Sequence, residues 1–467
     1  MNKIHFIGIK GVGMTALALY CKEKGYEITG SDVSEQFITE QSLEKSQIPV
    51  SVFDEENIKN TIDLVVVSAA YGKDNIEMKE AKKKHLDIKT YSEALGLFSG
   101  ENQVIAVSGI HGKTTTTALI SFILTKANLD PSFIIGAGEV ISLGTTGHYG
   151  KGDYFVLEAD EYRKSPEDNT PKFFDLSPEI EIITSIEMDH PDVFASEEEV
   201  YAAFYKFACR IPRKGIIIIC FDYSKAKKLQ RSLADRNIET YGFQEGAAWQ
   251  IINFQENQNY SEFSMGHKGE EIGPFKIKIA GKANVLNSAA AVIACIKIGL
   301  NSKVLQKILP DFKPVTRRFE KIGQVGETII IDDYAHHPRA ISMTLEAIKN
   351  KYPDYKIWCV FQPHTFSRTK ELLGEFATAF KNADKVIITD IFSSARENEI
   401  TISGGELANA IRQNQRNVRF IDDKEKIIPE IIDNLKGKDI IMTVGAGDIY
   451  KIGYKLLEIL KDENKKN

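Results

Sequence analysis

Cysteine is scarce in this chain and poorly placed for a framework. The five thiols (Cys21, Cys209, Cys220, Cys295 and Cys359) are odd in number, scattered, and form no C-x-x-C pair. That argues against a disulfide scaffold or a thiolate zinc site, and for buried free thiols in a reducing compartment. Long apolar runs are missing as well. None approaches the ~18 residues that a membrane helix needs, and Lys10 interrupts any secretory core near the N-terminus. A cytoplasmic protein without membrane insertion is expected. Neither sign of charge dominates: 59 Lys+Arg against 65 Asp+Glu leave −6, so no electrostatic footprint for nucleic acid exists. Fourteen prolines and 33 glycines are too few for fibrous or low-complexity classes. Pro- or Ser-rich linkers are lacking, so boundaries must come from the logic of the motifs.

What the sequence does have is a core-forming composition and a repeated local solution. A 43% hydrophobic content over 467 residues suits a soluble globular protein, and at about 150 residues per domain that length predicts three domains. A short β-branched run, a glycine turn and a helical period recur along the chain, which argues for parallel α/β sheets. Lys3–Gly8 leads to a helix around Thr15 to Lys24, and Gln103–Ser108 leads through a glycine turn to a helix ending near Leu124. Lys356–Phe361 and Asp439–Val444, the latter followed by Gly445-Ala-Gly447, open the same way. Boundaries are expected near residue 100 and near Pro314, giving regions 1–99, 100–314 and 315–467. The polar, alternating stretch from Cys220 to Gly281 predicts a smaller antiparallel part in the middle region. The tail from Lys461 onward predicts a fraying end.

The strongest chemical signal is Gly109-Ile110-His111-Gly112-Lys113-Thr114-Thr115, set between a buried strand and a helix. Successive N–H groups and a helix N-terminus cradle an anion, Lys113 adds positive charge, and Thr114 stands where such loops place a Mg²⁺ ligand. Val107 occupies a position where the general P-loop pattern has glycine, so this loop is a shortened version that predicts an ATP phosphate site. Carboxylates or imidazoles beside that site are expected at the C-terminal ends of neighbouring strands. Tyr154–Leu157 runs into Glu158-Ala-Asp160-Glu161, and Ile182–Ile186 into Glu187-Met-Asp189-His190. Glu158 and His190 are the candidate metal ligands.

The N-terminal turn Gly8-Ile-Lys-Gly11-Val-Gly13 precedes Asp32 by roughly the spacing of a ribose-binding acid. Its spacing is G-x-x-G-x-G rather than G-x-G-x-x-G, which disfavours a nicotinamide dehydrogenase and leaves a nucleotide diphosphate or a purely structural turn. In the third region, Asp332-Asp333-Tyr334-Ala-His336-His337-Pro338 and Gln362-Pro-His364-Thr-Phe-Ser-Arg368 follow two strands. With no third zinc ligand at sensible spacing, these polar clusters predict a small-substrate pocket, where Arg368 would clamp a carboxylate with its bidentate fork.

In this order along the chain, Ile4–Met14, Thr29–Asp32, Val66–Ala70, Ser108–Thr117, Glu158–Glu161, Asp189-His190, Asn284–Asn287, Arg318–Glu320, Asp332–Pro338, Val360–His364 and Thr443–Asp448 resemble the Mur ligases. These are ATP-dependent amide-forming enzymes of peptidoglycan synthesis. The resemblance implies three domains: a Rossmann-like UDP-binding domain, a P-loop ATPase-like parallel sheet, and a C-terminal Rossmann-like domain. It implies that Gly11, Gly13, Asp32 and Ser68 hold the UDP-sugar. The loop Gly109 to Thr115 would hold ATP, with Asn287 at the adenine and Arg318 and Asp333 approaching from the C-terminal region. Thr114 and Glu158 would ligate one Mg²⁺ and His190 a second, so that Lys113, Glu158 and His190 carry the catalytic charge stabilisation. Tyr334, His364 and Arg368 would receive the amino acid. UDP-N-acetylmuramate and L-alanine are the implied substrates, with a murein tripeptide as the alternative acceptor. Thr365 stands where some family members carry Arg, and Arg163–Asp175 is longer than in many alanine-adding ligases. Lys206 lies in the neighbourhood of a lysine that several relatives carry carbamylated. A non-catalytic nucleotide-sugar sensor is the remaining rival, against which the intact Lys113, Thr114, Glu158 and His190 count.

Overall fold

The computed structural model describes residues 1–257, 259–393 and 400–466. Among the described residues, three large sheets and one two-stranded hairpin account for the architecture, and the central strands of the large sheets are β-branched runs buried on both faces. The N-terminal sheet is wholly parallel, in the order Val50–Val52, Glu27–Asp32, Lys3–Ile7, Leu64–Val67, Asp87–Thr90. The middle sheet has ten strands. Its parallel centre is Ile216–Cys220, Ile180–Ile183, Gln103–Ser108 and Tyr154–Glu158. The C-terminal sheet is parallel from Thr328–Asp333 through Asp439–Val444, Lys356–Phe361 and Lys385–Ile388 to Val418–Phe420, with Glu320–Val325 antiparallel at its edge. The expected mixed α/β class with parallel sheets is what the chain forms.

The antiparallel part of the middle region starts later than the sequence suggested. Cys220 ends a parallel strand; the meander is Trp249–Glu256, Ser261–His267 and Glu270–Ile277, and it extends the same ten-stranded sheet. The terminal segment is helical, from Tyr450 to Lys466, with Lys461 to Lys465 exposed. Its apolar side packs Ile452, Leu456 and Leu457 on the C-terminal sheet, and that anchoring carries the helix into the charged tail.

Two helices owe their lack of amphipathic character to burial on all sides. Lys113–Lys126 is buried from Thr114 to Leu124 and packs on Lys282–Lys297, itself buried from Val285 to Cys295. Val12–Glu23 lies between the N-terminal sheet and the short strands Ser132–Ile134 and Gly147–His148 of the middle sheet. A Cβ at Gly147 would stand 1.8 Å from Ala16 O, so glycine there is what lets the strand reach the helix backbone. The N-terminal and middle parts consequently share one hydrophobic core, while the C-terminal sheet has its own clusters on its two faces.

Candidate active site

The candidate phosphate loop, Gly109 to Thr115, is shaped by two glycines with left-handed backbone. Gly109 has φ 122° and Gly112 φ 82°, and Gly112 caps the helix that begins at Lys113. Their missing side chains matter as much as their dihedrals. A Cβ on Gly109 would meet Thr184 Oγ1 at 2.2 Å, and one on Gly112 would meet Asn287 Oδ1 at 2.2 Å. Asn287 therefore lies directly against the loop. Ile110 N donates to Ser185 O at 3.3 Å and His111 N to Ser185 Oγ at 2.9 Å, so the strand end at 184–185 holds the first half of the loop.

Lys113 Nζ donates to Gly109 O at 2.7 Å and to both oxygens of Glu161, at 2.9 and 2.7 Å. Although burial opposes its charge, Glu161 and Asp160 raise its pKa, so the ammonium is firmly protonated. Glu161, 1% exposed, is the partner that sequence reasoning missed. It stands in the quoted acidic run, but nothing in the spacing distinguishes it from Glu158. Glu158 takes Gly136 N at 2.6 Å and the Thr114 hydroxyl at 3.1 Å. Burial pushes its pKa up. His190 Nε2 is 3.5 Å from Glu161 Oε1 and 3.7 Å from Asp189 Oδ2.

Among the described residues, no group of three or more His, Cys, Asp or Glu stands ready to hold a metal ion. The Thr114 and Glu158 oxygens nevertheless converge beside the loop, a pair of the kind magnesium takes when substrate phosphates complete its shell. That donor set fits the hard cation expected there.

The C-terminal region reaches this site through a tight turn. Arg317 and Phe319 have φ of 61° and 51°, and Arg318 between them donates to Thr114 Oγ1 at 3.3 Å. Asp333 fixes the turn by accepting Phe319 N at 2.8 Å and Ala335 N at 2.7 Å; burial raises its pKa to about 6, against the pull of Arg318. The Arg318 guanidinium lies 4.8 Å from the Tyr334 ring centroid.

Arg368 is not an open clamp. Its Nε donates to Asp189 Oδ1 at 2.7 Å and its NH1 to His364 O at 3.2 Å. Despite burial, that guanidinium holds the Asp189 carboxyl well below the usual carboxylate range. His337 contributes a second link, its Nε2 bonding to Met188 O at 3.2 Å while Nδ1 accepts Arg339 N at 3.3 Å. Burial, with help from His111, lowers the His337 pKa to about 4, so this ring is neutral. Thr365 starts its helix with φ 70°.

Asp32 is also spoken for. It accepts Lys10 N at 2.8 Å, Val33 N at 2.9 Å and the Tyr71 hydroxyl at 2.9 Å, and is 3% exposed. It shapes the N-terminal turn from beneath. Ser68 Oγ accepts Ala70 N at 3.3 Å. Arg163–Ser165 and Asp168–Pro171 form a hairpin whose Glu167 accepts Lys73 N at 3.0 Å, so the long segment bridges the N-terminal and middle sheets. Lys206 is exposed on the helix Glu197–Ala208 and does not line the cleft.

A single cleft of about 520 Å³ gathers most of these groups. Gly11, Gly13 and Ser68 line it from the N-terminal sheet, and Ile110 to Thr115, Glu158, His190 and Asn287 from the middle. Arg318, Asp333, Tyr334, His364 and Arg368 line it from the C-terminal side. Of the residues assigned in the sequence to the UDP-sugar, ATP, the metal or the amino acid, Asp32 and Gly109 are the two that do not line it.

A glycine loop of the phosphate-binding kind, opening onto a cleft among three largely parallel sheets, defines a nucleotide-using α/β protein of three units. Family models match across it: "Mur ligase family, catalytic domain" over 3–102, "Mur ligase middle domain" over 107–295, and "Mur ligase, glutamate ligase domain" over 317–447. The chain is 41% identical over 456 residues to UDP-N-acetylmuramate--L-alanine ligase of Desulfitobacterium hafniense, covering 97% of this chain and 99% of the relative. It is 38% identical over 468 residues to the enzyme of that name from Caldanaerobacter subterraneus, covering 100% and 98%. The crystal structure of UDP-N-acetylmuramate-alanine ligase MurC from Thermotoga maritima superposes with TM-score 0.83 at 25% identity, covering 99% of this chain and 100% of that one. A murein peptide ligase from Psychrobacter arcticus shares the fold at TM-score 0.75 and 24% identity, covering 98% and 99%. This chain belongs to the Mur ligase family.

Proposed function

We propose that this chain joins L-alanine to the carboxylate of UDP-N-acetylmuramate at the expense of ATP. One observation carries the reading: groups suited to a nucleotide-sugar, a triphosphate and a small amino acid share one cleft. The relatives at 41% and 38% identity over nearly their whole length bear the name of the alanine-adding enzyme, which favours alanine over a tripeptide acceptor.

A carboxylate oxygen of the sugar attacks the γ-phosphorus of ATP, the bond to ADP breaks, and an acyl phosphate forms. The alanine nitrogen then attacks the acyl carbon, inorganic phosphate leaves, and the nitrogen loses its proton. Lys113 and Arg318 supply fixed positive charge where phosphoryl oxygens accumulate negative charge. The N–H groups at the start of the helix Lys113–Lys126 add to it. Thr114 and Glu158 would hold one Mg²⁺ and His190 a second; when bound, the cation neutralises phosphate charge and fixes its orientation. Gly11, Gly13 and Ser68 line the part of the cleft assigned to the UDP-sugar, with Asp32 bracing the turn from behind. Tyr334, His364 and the remaining N–H groups of Arg368 receive the amino acid. Residues 1–99, 100–314 and 315–467 are proposed as the three domains, a division supported by one large sheet in each.

The deciding experiment measures phosphate release with ATP, Mg²⁺ and UDP-N-acetylmuramate, offering L-alanine, glycine, serine or the tripeptide. Turnover is expected with L-alanine. Rapid turnover with the tripeptide and none with alanine would reassign the acceptor.

A further inference from the structure

Three consecutive residues after the strand Ile180–Ile183 each take a side chain from the C-terminal region. Glu187 pairs with Arg339, the Met188 carbonyl with His337, and Asp189 with Arg368. Glu187 is the unusual member, because its second oxygen serves a different part of the molecule. Its Oε2 lies 3.0 Å from Nε2 of His111, a residue of the phosphate loop. One carboxylate, with 17% side-chain exposure, is thus divided between the loop and the C-terminal region.

The surroundings leave that carboxylate little freedom. The Arg339 guanidinium is itself seated 4.3 Å from the Tyr223 ring centroid, on the middle region. The His111 ring lies 4.7 Å from the His337 ring, centroid to centroid. The backbone of His111 is tied to the same segment, its N–H donating to Ser185 Oγ at 2.9 Å and its carbonyl accepting from the Thr184 hydroxyl. Loop, segment 184–189 and C-terminal side chains therefore form one contiguous set of contacts, with Glu187 at the crossing.

We propose that Glu187 is a positioning residue that couples the docking of Arg339 to the shape of the phosphate loop. When Arg339 is seated, both carboxylate oxygens are oriented, and the His111 imidazole is held where the loop keeps its open arc. When Arg339 withdraws, Glu187 loses the partner that aims it, and its 3.0 Å contact with the His111 ring is released. The loop is thereby completed only in the arrangement that also brings the C-terminal pocket over it. Such a shared carboxylate gives the contiguous physical connection that coupling between sites requires. This inference rests on the reading that the loop takes ATP.

The test uses full-length protein and measures KM for ATP, kcat and UDP-N-acetylmuramate affinity. The variants are Arg339→Met, Arg339→Lys, His111→Ala and the Arg339→Met/His111→Ala double. Arg339→Met is expected to raise KM for ATP about tenfold, although Arg339 is not part of the loop, and to leave UDP-sugar affinity unchanged. His111→Ala should behave alike, the double variant should be no worse than the worse single one, and Arg339→Lys should recover much of the loss. An unchanged KM for ATP in Arg339→Met overturns the proposal, as does a double variant whose effect is the product of the two. If His111→Ala does not fold, Glu187→Gln replaces it in the cycle with the same expectations. A wild-type protein that turns over no ATP would instead defeat the underlying reading, so the two failures are distinguishable.

Discussion

Arg368 and Asp189, separated by 179 residues of sequence, meet through a 2.7 Å bond from Nε to Oδ1, and each side chain is only 4% exposed. The pair fastens the C-terminal region to the end of a middle-sheet strand, inside the wall of the cleft. Ion pairs this deep are expensive to leave half made, because the survivor is a buried charge without a counter-charge. Arg368→Met should therefore destabilise the protein by about 3–5 kcal/mol, read as a lower denaturant midpoint at constant m-value. Asp189→Asn should do similar damage. The two together should lose clearly less than the sum; strict additivity would contradict the pairing.

Lys113 carries the second prediction. Its ammonium is charged and held between Gly109 O and Glu161, in front of the helix whose N–H groups face the cleft. Lys113→Ala should lower phosphate release by at least about 10²–10³-fold, the scale for removing one preorganised charge-stabilising group. Calorimetric affinity for UDP-N-acetylmuramate should stay nearly intact, since Gly11, Gly13 and Ser68 line another part of the cleft. Parallel loss of both would mean that the two sites are not separate.

The loop, its flanking strand and helix, and the acidic strand ends were legible in the sequence because each is a local pattern of a few residues. The parallel class was legible for the same reason. What stayed hidden is long-range pairing. Nothing in Glu158-Ala-Asp160-Glu161 says that Glu161 rather than Glu158 grips Lys113, since that depends on which way each side chain leaves the strand end. Arg368 looked like an open carboxylate clamp because its partner Asp189 is visible only once two regions are docked. Asp32 fits a ribose-binding spacing, yet Lys10 N, Val33 N and the Tyr71 hydroxyl occupy its oxygens, and the Tyr71 contact is a tertiary one.

Gly112 offers a test of the loop geometry that leaves every charge in place. Its φ of 82° disfavours any L side chain, by roughly 1–2 kcal/mol, and an added Cβ would fall 2.2 Å from Asn287 Oδ1. Gly112→Ala should raise KM for ATP by tenfold or more while Lys113 remains present. Adding Asn287→Ala removes the clash but not the backbone strain, so the double variant should recover part of the lost stability. If Gly112→Ala binds ATP like the parent, the loop does not need its left-handed turn.

Glu181 yields a pH prediction away from the chemistry. It sits in the strand Ile180–Ile183, fully buried; Oε1 accepts the Ser108 hydroxyl at 3.1 Å and Oε2 has no hydrogen-bond partner. Burial pushes its pKa from 4.5 up to about 8, only partly opposed by the Ser108 bond. The folded chain thus keeps this proton until about pH 8, whereas the unfolded chain releases it near 4.5. Between those limits the native state binds the extra proton, so stability is fully present below pH 4.5 and falls as pH rises towards 8. The slope from this one group approaches about 1.4 kcal/mol per pH unit in mid-window. Glu181→Gln removes the titration, so stability measured from pH 6 to 8 should fall less steeply in the variant than in the parent. Superimposable slopes would show that Glu181 is ionised in the folded protein, with its charge accommodated by groups other than Ser108.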